Sequence, residues 1–224
     1  MCNIRHILLI VILAIHTSVM NAEDNELMIR LRTGHNATFG GFAALSLETF
    51  HNFDDRFQLS VGTQYNTIGR TALEVRPAYS FDYSWGRISA EVLLSYSGLT
   101  SVTSFAAGTG AGFAGRHVTV RLGYYYRHYG HSGVSVKEPF NVFYEMRGHL
   151  LAMLEKWDLD LMITNDETFE LERHYQPSFI AECRHYPRPG LGIVFGLGCK
   201  PAGIFNISAD NYQSFLNLGV CYRW

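Results

Sequence analysis

At 224 residues and a formal net charge of −2, this chain is long enough for one sizeable domain and carries no basic excess to hold a nucleic acid. Charged residues make up only 17% of it and aromatics 14%, with 21 glycines, and the apolar residues are spread evenly rather than gathered in blocks. After residue 22 no apolar run reaches the length of a bilayer-spanning helix, which excludes a helical membrane protein. At the start of the chain, Arg5 and His6 precede an unbroken apolar run from Ile7 to Ile15. Small and polar residues lead from it to Asn21-Ala22, and Glu23-Asp24 follow. This is the layout of a secretory signal peptide cut after Ala22, leaving 23–224 as the mature domain. The run is too short to span a bilayer.

From there the chain reads as twelve alternating segments: Leu27–Thr33, Phe42–Phe50, Arg56–Asn66, Thr71–Tyr83, Arg87–Ser97, Phe105–Ala114, His117–His128, Pro139–Leu151, Trp157–Thr164, Thr168–Arg184, Leu191–Cys199 and Asn211–Trp224. Turn signals such as Asn52–Asp55, Ser84-Trp85-Gly86 and Pro187–Gly190 separate them. In Arg56–Asn66, for example, Phe57, Leu59, Val61, Thr63 and Tyr65 oppose Arg56, Gln58, Ser60, Gly62, Gln64 and Asn66. One apolar and one polar face on every strand fits either an antiparallel barrel in a membrane or a secreted sandwich with the apolar face inward. Connections after even-numbered segments are tight. Those after odd-numbered ones include Gly34–Gly41, Gly98–Ser104, Tyr129–Glu138 and Lys200–Asp210, while two others, near Gly69 and near Asp166, are short.

The last segment is the most informative. Leu216, Leu218, Val220, Tyr222 and Trp224 alternate with Asn217, Gly219, Cys221 and Arg223, and the chain stops on an aromatic. It resembles the closing strand of Gram-negative outer-membrane β-barrels, which alternates apolar residues up to a terminal Phe or Trp. The resemblance implies an all-β fold: a single antiparallel transmembrane barrel of twelve strands, with ten as the alternative count, in the bacterial outer membrane with both termini periplasmic. It further implies outer-membrane lipids around the barrel, possible contact with other outer-membrane proteins, and recognition of the closing strand by the barrel-insertion machinery. Aromatics near segment ends (Tyr65, Tyr83, Trp85, Tyr96, Trp157, Trp224) suit an interfacial girdle.

Parity then assigns the inward charges. Glu74, Arg76, Glu91, Arg121, Glu145 and Arg147 face the lumen, with Arg30, Arg32, Glu48, Arg56, Asp82, Arg87, Arg127, Asp158, Asp160, Glu170, Glu172, Glu182, Arg184 and Arg223. Eight strands leave an interior just filled by side chains, so twelve leave a narrow space that paired charges can cross-link or water can fill. In Phe105–Ala114 only Ala106, Gly108, Gly110, Gly112 and Ala114 face inward, a slot open to long side chains, water or a passing solute. The mature chain's three cysteines are expected as free thiols, and no residue spacing suggests a metal or cofactor.

The stretch Tyr124–Gly133 with Pro139-Phe140-Asn141 resembles the His-x-Ser-Asn motif and following Pro-Asn of lipid A 3-O-deacylases and outer-membrane phospholipases. It departs from that pattern, because Ser132 directly follows His131 and Gly130 stands two after His128. No catalytic residue is assigned, and His149 with the other histidines shows no ligand spacing. Three functions stay open: a non-catalytic structural or accessory barrel with a charge-paired lumen, a narrow diffusion pore for small polar solutes, and a lipid hydrolase. Deleting Trp224 is expected to block assembly rather than activity. A deletion mutant that reaches the outer membrane at normal abundance and still shifts on gels after heating overturns the terminal-strand reading.

Overall fold

The computed structural model describes residues 25–67, 69–99, 102–131, 134–150, 156–166, 177–201 and 211–224. Among these residues every regular element is a strand: β1 (Glu26–Asn36), β2 (Gly40–Asn52), β3 (Phe57–Asn66), β4 (Arg70–Tyr83), β5 (Gly86–Leu99), β6 (Val102–Ala114), β7 (Val118–His131), β8 (Val134–Leu150), β9 (Trp157–Thr164), β10 (Ser178–Arg188), β11 (Leu191–Pro201) and β12 (Asn211–Arg223). Each pairs antiparallel with its sequence neighbours, and β1 pairs with β12, so the twelve-strand sheet closes on itself. The expected leader, residues 1–22, lies outside the described residues.

Closure is unbroken from Glu26↔Arg223 to Asn36↔Gln213. Asn25 and Trp224 add a reciprocal pair beyond it, each main-chain N–H reaching the other's carbonyl oxygen at 3.2 Å. The Asn25 side chain also accepts the Asn52 N–H at 2.9 Å, tying the start of β1 to the end of β2. No strand pairing is left unmade at this seam, as a barrel in hydrocarbon requires.

The two faces are inverted relative to a soluble sandwich. On β12, Leu216, Leu218, Val220 and Tyr222 are exposed, Leu218 by 52%, while Asn217 between them is 2% exposed. Leu31, Val92, Leu122, Tyr124, Leu161, Ile193 and Phe195 show the same outward placement on five other strands. Aromatics gather at the rim that carries both chain ends of the barrel: Tyr83 stacks on Trp85 at 5.3 Å, Tyr222 on Trp224 at 5.8 Å, and Trp157 meets His185 at 4.2 Å.

The fully described turns at this terminal rim are tight. In the β2–β3 turn, Asp54 accepts the N–H of Phe57 at 2.6 Å and of Arg56 at 2.8 Å. These bonds, that from Phe57 foremost, hold its carboxyl below the usual carboxylate range. Gly190 closes the β10–β11 turn at φ 77°, a left-handed conformation that side chains disfavour. The distal rim departs from the sequence expectation. Gly34–Asn36, Gly98–Leu99, Tyr129–His131 and Val134–Glu138 are strand, so these connections are short rather than long. Beyond the hydrocarbon the outward face has no need to be apolar, so alternation fades while main-chain pairing continues. Conversely, β10 starts at Ser178 and not at Thr168, and the β9–β10 connection runs from 165 to 177. Glu170 and Glu172 fall outside the described residues.

Glycines on the inward face are seats for rings. A Cβ on Gly110 or Gly123 would run into Phe143, one on Gly198 into Phe215, and one on Gly192 into Tyr186 and Cys221. The slot on β6 is therefore occupied. Phe143 fills it at Gly110, Tyr125 at Gly108, and Ser89 and Arg121 border Gly112. Tyr125 and Phe143 pack with Leu93 and Ala106 in one buried cluster, and Met28, Val194 and Cys221 form another. The described cysteines Cys183, Cys199 and Cys221 are unbridged.

Arg introduced at Val92, which is 45% exposed on the outer face, is expected to cost about 2–4 kcal/mol if near the bilayer midplane. Arg at Ser60, which lines the lumen cavity, is expected to be milder. Denaturant titrations of the barrel refolded into phospholipid vesicles measure both, and equal tolerance would reverse the assignment of faces.

Candidate functional site

The inward row of each strand delivers its charges beside small neighbours, which gives long side chains room to lie across the lumen. Glu74 stands opposite Gly62, Arg76 opposite Ser60, Glu91 opposite Gly110, and Arg121 between Gly112 and Glu145. These rows meet at mid-lumen. Arg76, 6% exposed, bonds Glu74 on its own strand and reaches Asp166 with Nη2 at 2.6 Å from Oδ1. It also lies 3.7 Å from Glu91. Arg121 forks onto Glu91 with Nη2 at 3.0 Å from both carboxylate oxygens, and stands 3.5 Å from Asp166 and 3.8 Å from Glu145. Arg147 continues the chain to Glu145 at 3.5 Å and Asp160 at 3.6 Å. All six residues singled out from the sequence, Glu74, Arg76, Glu91, Arg121, Glu145 and Arg147, thus share one network. Asp166 is the member that strand parity does not deliver, because it belongs to the β9–β10 connection and not to a strand.

A second network lies beside β1. Arg30 binds Glu48 at 2.9 Å and Glu182 at 3.2 Å, Arg184 binds Glu182 at 2.9 Å and Glu26 at 3.4 Å, and Arg223 binds Glu26 at 2.7 Å. Arg56, Asp82, Arg87 and Arg223, expected to face the lumen, stand toward the terminal rim rather than among the mid-lumen pairs, Arg87 still lining the cavity. Arg56 sits in the exposed β2–β3 turn, Asp82 and Arg87 pair at 2.7 Å near the terminal rim, and Arg223 is 43% exposed there. Parity fixes a residue's face but not its height along the barrel axis.

Guanidiniums also lie over the rings seated on glycine: Arg76 over Phe143 at 5.3 Å, Arg32 over Phe215 at 3.9 Å and Arg127 over Tyr125 at 4.8 Å. Such stacking contributes roughly 0.5–2 kcal/mol where water is scarce.

These side chains border the open space of the lumen. A cavity of about 380 Å³ runs from Gln58, Arg87, Ala114 and Thr119 near the terminal rim past Glu74 and Asp166 to Gln64 and Asn217. A pocket of about 30 Å³ lies on the distal side against Arg70, Ser97, Ser104 and Arg127, and is lined by Glu74 and Asp166 as well. Two of the carboxylates that grip Arg76 therefore border both spaces.

One arrangement had no visible sequence signal. Thr119 on β7, His149 on β8 and Asp160 on β9 form a hydrogen-bonded chain, Oγ1 to Nε2 at 2.9 Å and Nδ1 to Oδ1 at 2.9 Å. Their positions only align once the β7–β8 and β8–β9 registers are known. The deacylase-like stretch gains no such geometry. Ser132 lies outside the described residues, and His128 stands on the outward parity of β7. Among the described residues no group of three or more His, Cys, Asp or Glu side chains could hold a metal ion.

No family model and no curated protein matches the sequence. Solved structures do. A KdgM porin in complex with disordered oligogalacturonate is 15% identical, with 89% of this chain and 99% of that one covered at a TM-score of 0.57. The outer membrane protein Omp33 of Acinetobacter baumannii is 10% identical, covering 91% and 100% at 0.52. The outer membrane phospholipase A of Escherichia coli is 9% identical, covering 94% and 96% at 0.51. The chain has the fold of the bacterial outer-membrane β-barrels, porins among them. That fold also hosts an enzyme, so the activity must be argued from side chains.

Arg76→Ala takes from Glu74 its bonded cation and leaves Asp166 and Glu91 to Arg121 alone, and stranding a buried carboxylate costs about 3–5 kcal/mol. The unfolding midpoint followed by tryptophan fluorescence is expected to fall accordingly, and Asp166→Asn added to it to recover part of the loss.

Proposed function

We propose that this barrel is a narrow channel for small polar solutes across the outer membrane, constricted at mid-height by the ion pairs of Arg76. In this reading the terminal rim faces the periplasm and the distal rim the cell exterior. The observation that carries it is the shared lining: Glu74 and Asp166, both held by Arg76, border the large cavity and the distal pocket alike. The porin likeness supports the reading at the level of fold, and KdgM's oligogalacturonate makes a hydrophilic solute the natural class.

Hydration of the lumen is a second support. Arg30 Nε, Arg147 Nε, Gln64 Oε1 and Gln213 Oε1 are buried inward-facing atoms that find no hydrogen-bond partner among the described residues. Buried donors and acceptors are rarely left so, and a lumen wet enough to solvate them is the ready resolution. The opposing reading, a non-conducting structural or accessory barrel, rests on the same ion pairs: a network this complete can serve as a core.

Single-channel recording in planar bilayers separates the two. The wild type is expected to show small, well-defined conductance steps. Asp166→Ala removes one member of that shared lining and frees Arg76 from its connection-borne partner, so larger steps are expected. Arg121→Ala is expected to shift permeability toward cations, because one fixed positive charge leaves the wall. Silence from all three correctly folded barrels overturns the channel and leaves the structural reading.

A further inference from the structure

From the Thr119–His149–Asp160 chain we infer a second activity on the inner wall: an acyl-transfer centre that hydrolyses small, water-soluble carboxylic esters entering the cavity of about 380 Å³. The order of contacts carries the inference. Asp160 Oδ1 meets His149 Nδ1 and His149 Nε2 meets the Thr119 hydroxyl, both at 2.9 Å. A carboxylate that takes up Nδ1–H leaves Nε2 as the acceptor for the hydroxyl proton, which is how a weak hydroxyl nucleophile is activated. Three adjacent strands, β7, β8 and β9, hold the chain.

Access and charge are also in place. Thr119 and His149 line the cavity, and the His149 side chain is 29% exposed. Ala114 stands across from Thr119 on β6, so no bulk covers the hydroxyl from that side. On the other side Arg147 is its register partner. That guanidinium is loosely engaged, 3.5 Å from Glu145, 3.6 Å from Asp160 and 3.4 Å from the Met162 sulfur, and its Nε has no hydrogen-bond partner among the described residues. An under-engaged cation beside the nucleophile is suited to the negative charge that develops on an ester oxygen. The polar, inward setting selects a dissolved ester over a membrane lipid.

In the reaction, Thr119 Oγ1 bonds to the ester carbonyl carbon while its proton passes to His149 Nε2, and the carbonyl electron pair moves onto oxygen beside Arg147. Collapse expels the alcohol, which takes the proton from Nε2 and leaves acyl-threonine. Water then adds by the same route, its proton passing to His149, and the carboxylic acid departs as the Thr119 hydroxyl is restored.

The test uses the full barrel, folded in detergent micelles and checked by heat-modifiability, with p-nitrophenyl acetate as probe. Wild type is expected to exceed buffer, and Thr119→Ala and His149→Ala to lower turnover by roughly 10²-fold or more, the usual worth of a positioned base and its nucleophile. Thr119→Ser retains the hydroxyl and is expected to retain turnover; covalent labelling is the readout that a merely structural hydrogen bond does not explain. Mass spectrometry after a fluorophosphonate probe is expected to place the adduct on Thr119. Wild-type turnover no faster than Thr119→Ala, or a probe that labels elsewhere or not at all, overturns the proposal. Neither readout involves a bilayer, so a barrel that conducts without hydrolysing, or hydrolyses without conducting, separates this inference from the channel reading.

Discussion

A closed barrel that turns its charges inward must neutralise them within its own wall, and the grip on Arg76 is where this constraint is tightest. The guanidinium is 6% exposed and touches Glu74, Glu91 and Asp166, which come from β4, β5 and the β9–β10 connection. An uncompensated ion at that depth costs several kcal/mol, so the surrounding residues are arranged to prevent one. Gly110 and Gly123 leave space for the Phe143 ring, the ring lies under Arg76, and the carboxylates close over its edges. Small residue, ring, cation and carboxylate are four layers of one device. A change at the glycines is felt at the ion pairs.

The same arrangement determines what the lumen can do. Apolar clusters around Phe143 and around Met28 pack parts of the interior. Where the large cavity and the distal pocket adjoin, the shared lining is charged, through Glu74 and Asp166. Of the hydrogen-bonded Thr119, His149 and Asp160, the first two line the larger space.

Alternation made much of this legible beforehand. Leu216 to Trp224 announces its two faces, and the same parity puts Glu74, Arg76, Glu91, Arg121, Glu145 and Arg147 on one side of the wall. Parity has a period of two residues and nothing more. It cannot say at what height Asp82 and Arg87 emerge, nor that Asp166 folds inward from a connection. It also stops at the end of the hydrocarbon, which is why Gly34, Gly98 and Tyr129 read as loop although their backbones pair as strand. The glycines of β6 look like empty space in a sequence because the rings that fill them sit on β7 and β8. The Thr119–His149–Asp160 contact is invisible for the same reason, being set by the registers of three strands rather than by spacing along any one of them.

The seam between β1 and β12 bears on how such a chain comes to be closed. The bond from Arg223 to Glu26 joins residues 197 apart, whereas most other pairings link strands next to each other in sequence. Local hairpins form first at small entropic cost, and the ring-closing step brings together the ends of an already ordered ribbon. Until it occurs, β1 and β12 each present an open edge to any other chain. Asn25 and Trp224, bonded reciprocally at the tip of that seam with Arg223 and Glu26 beside them, thus form a latch, and the time the chain waits before the latch engages is its period of greatest vulnerability to misassembly.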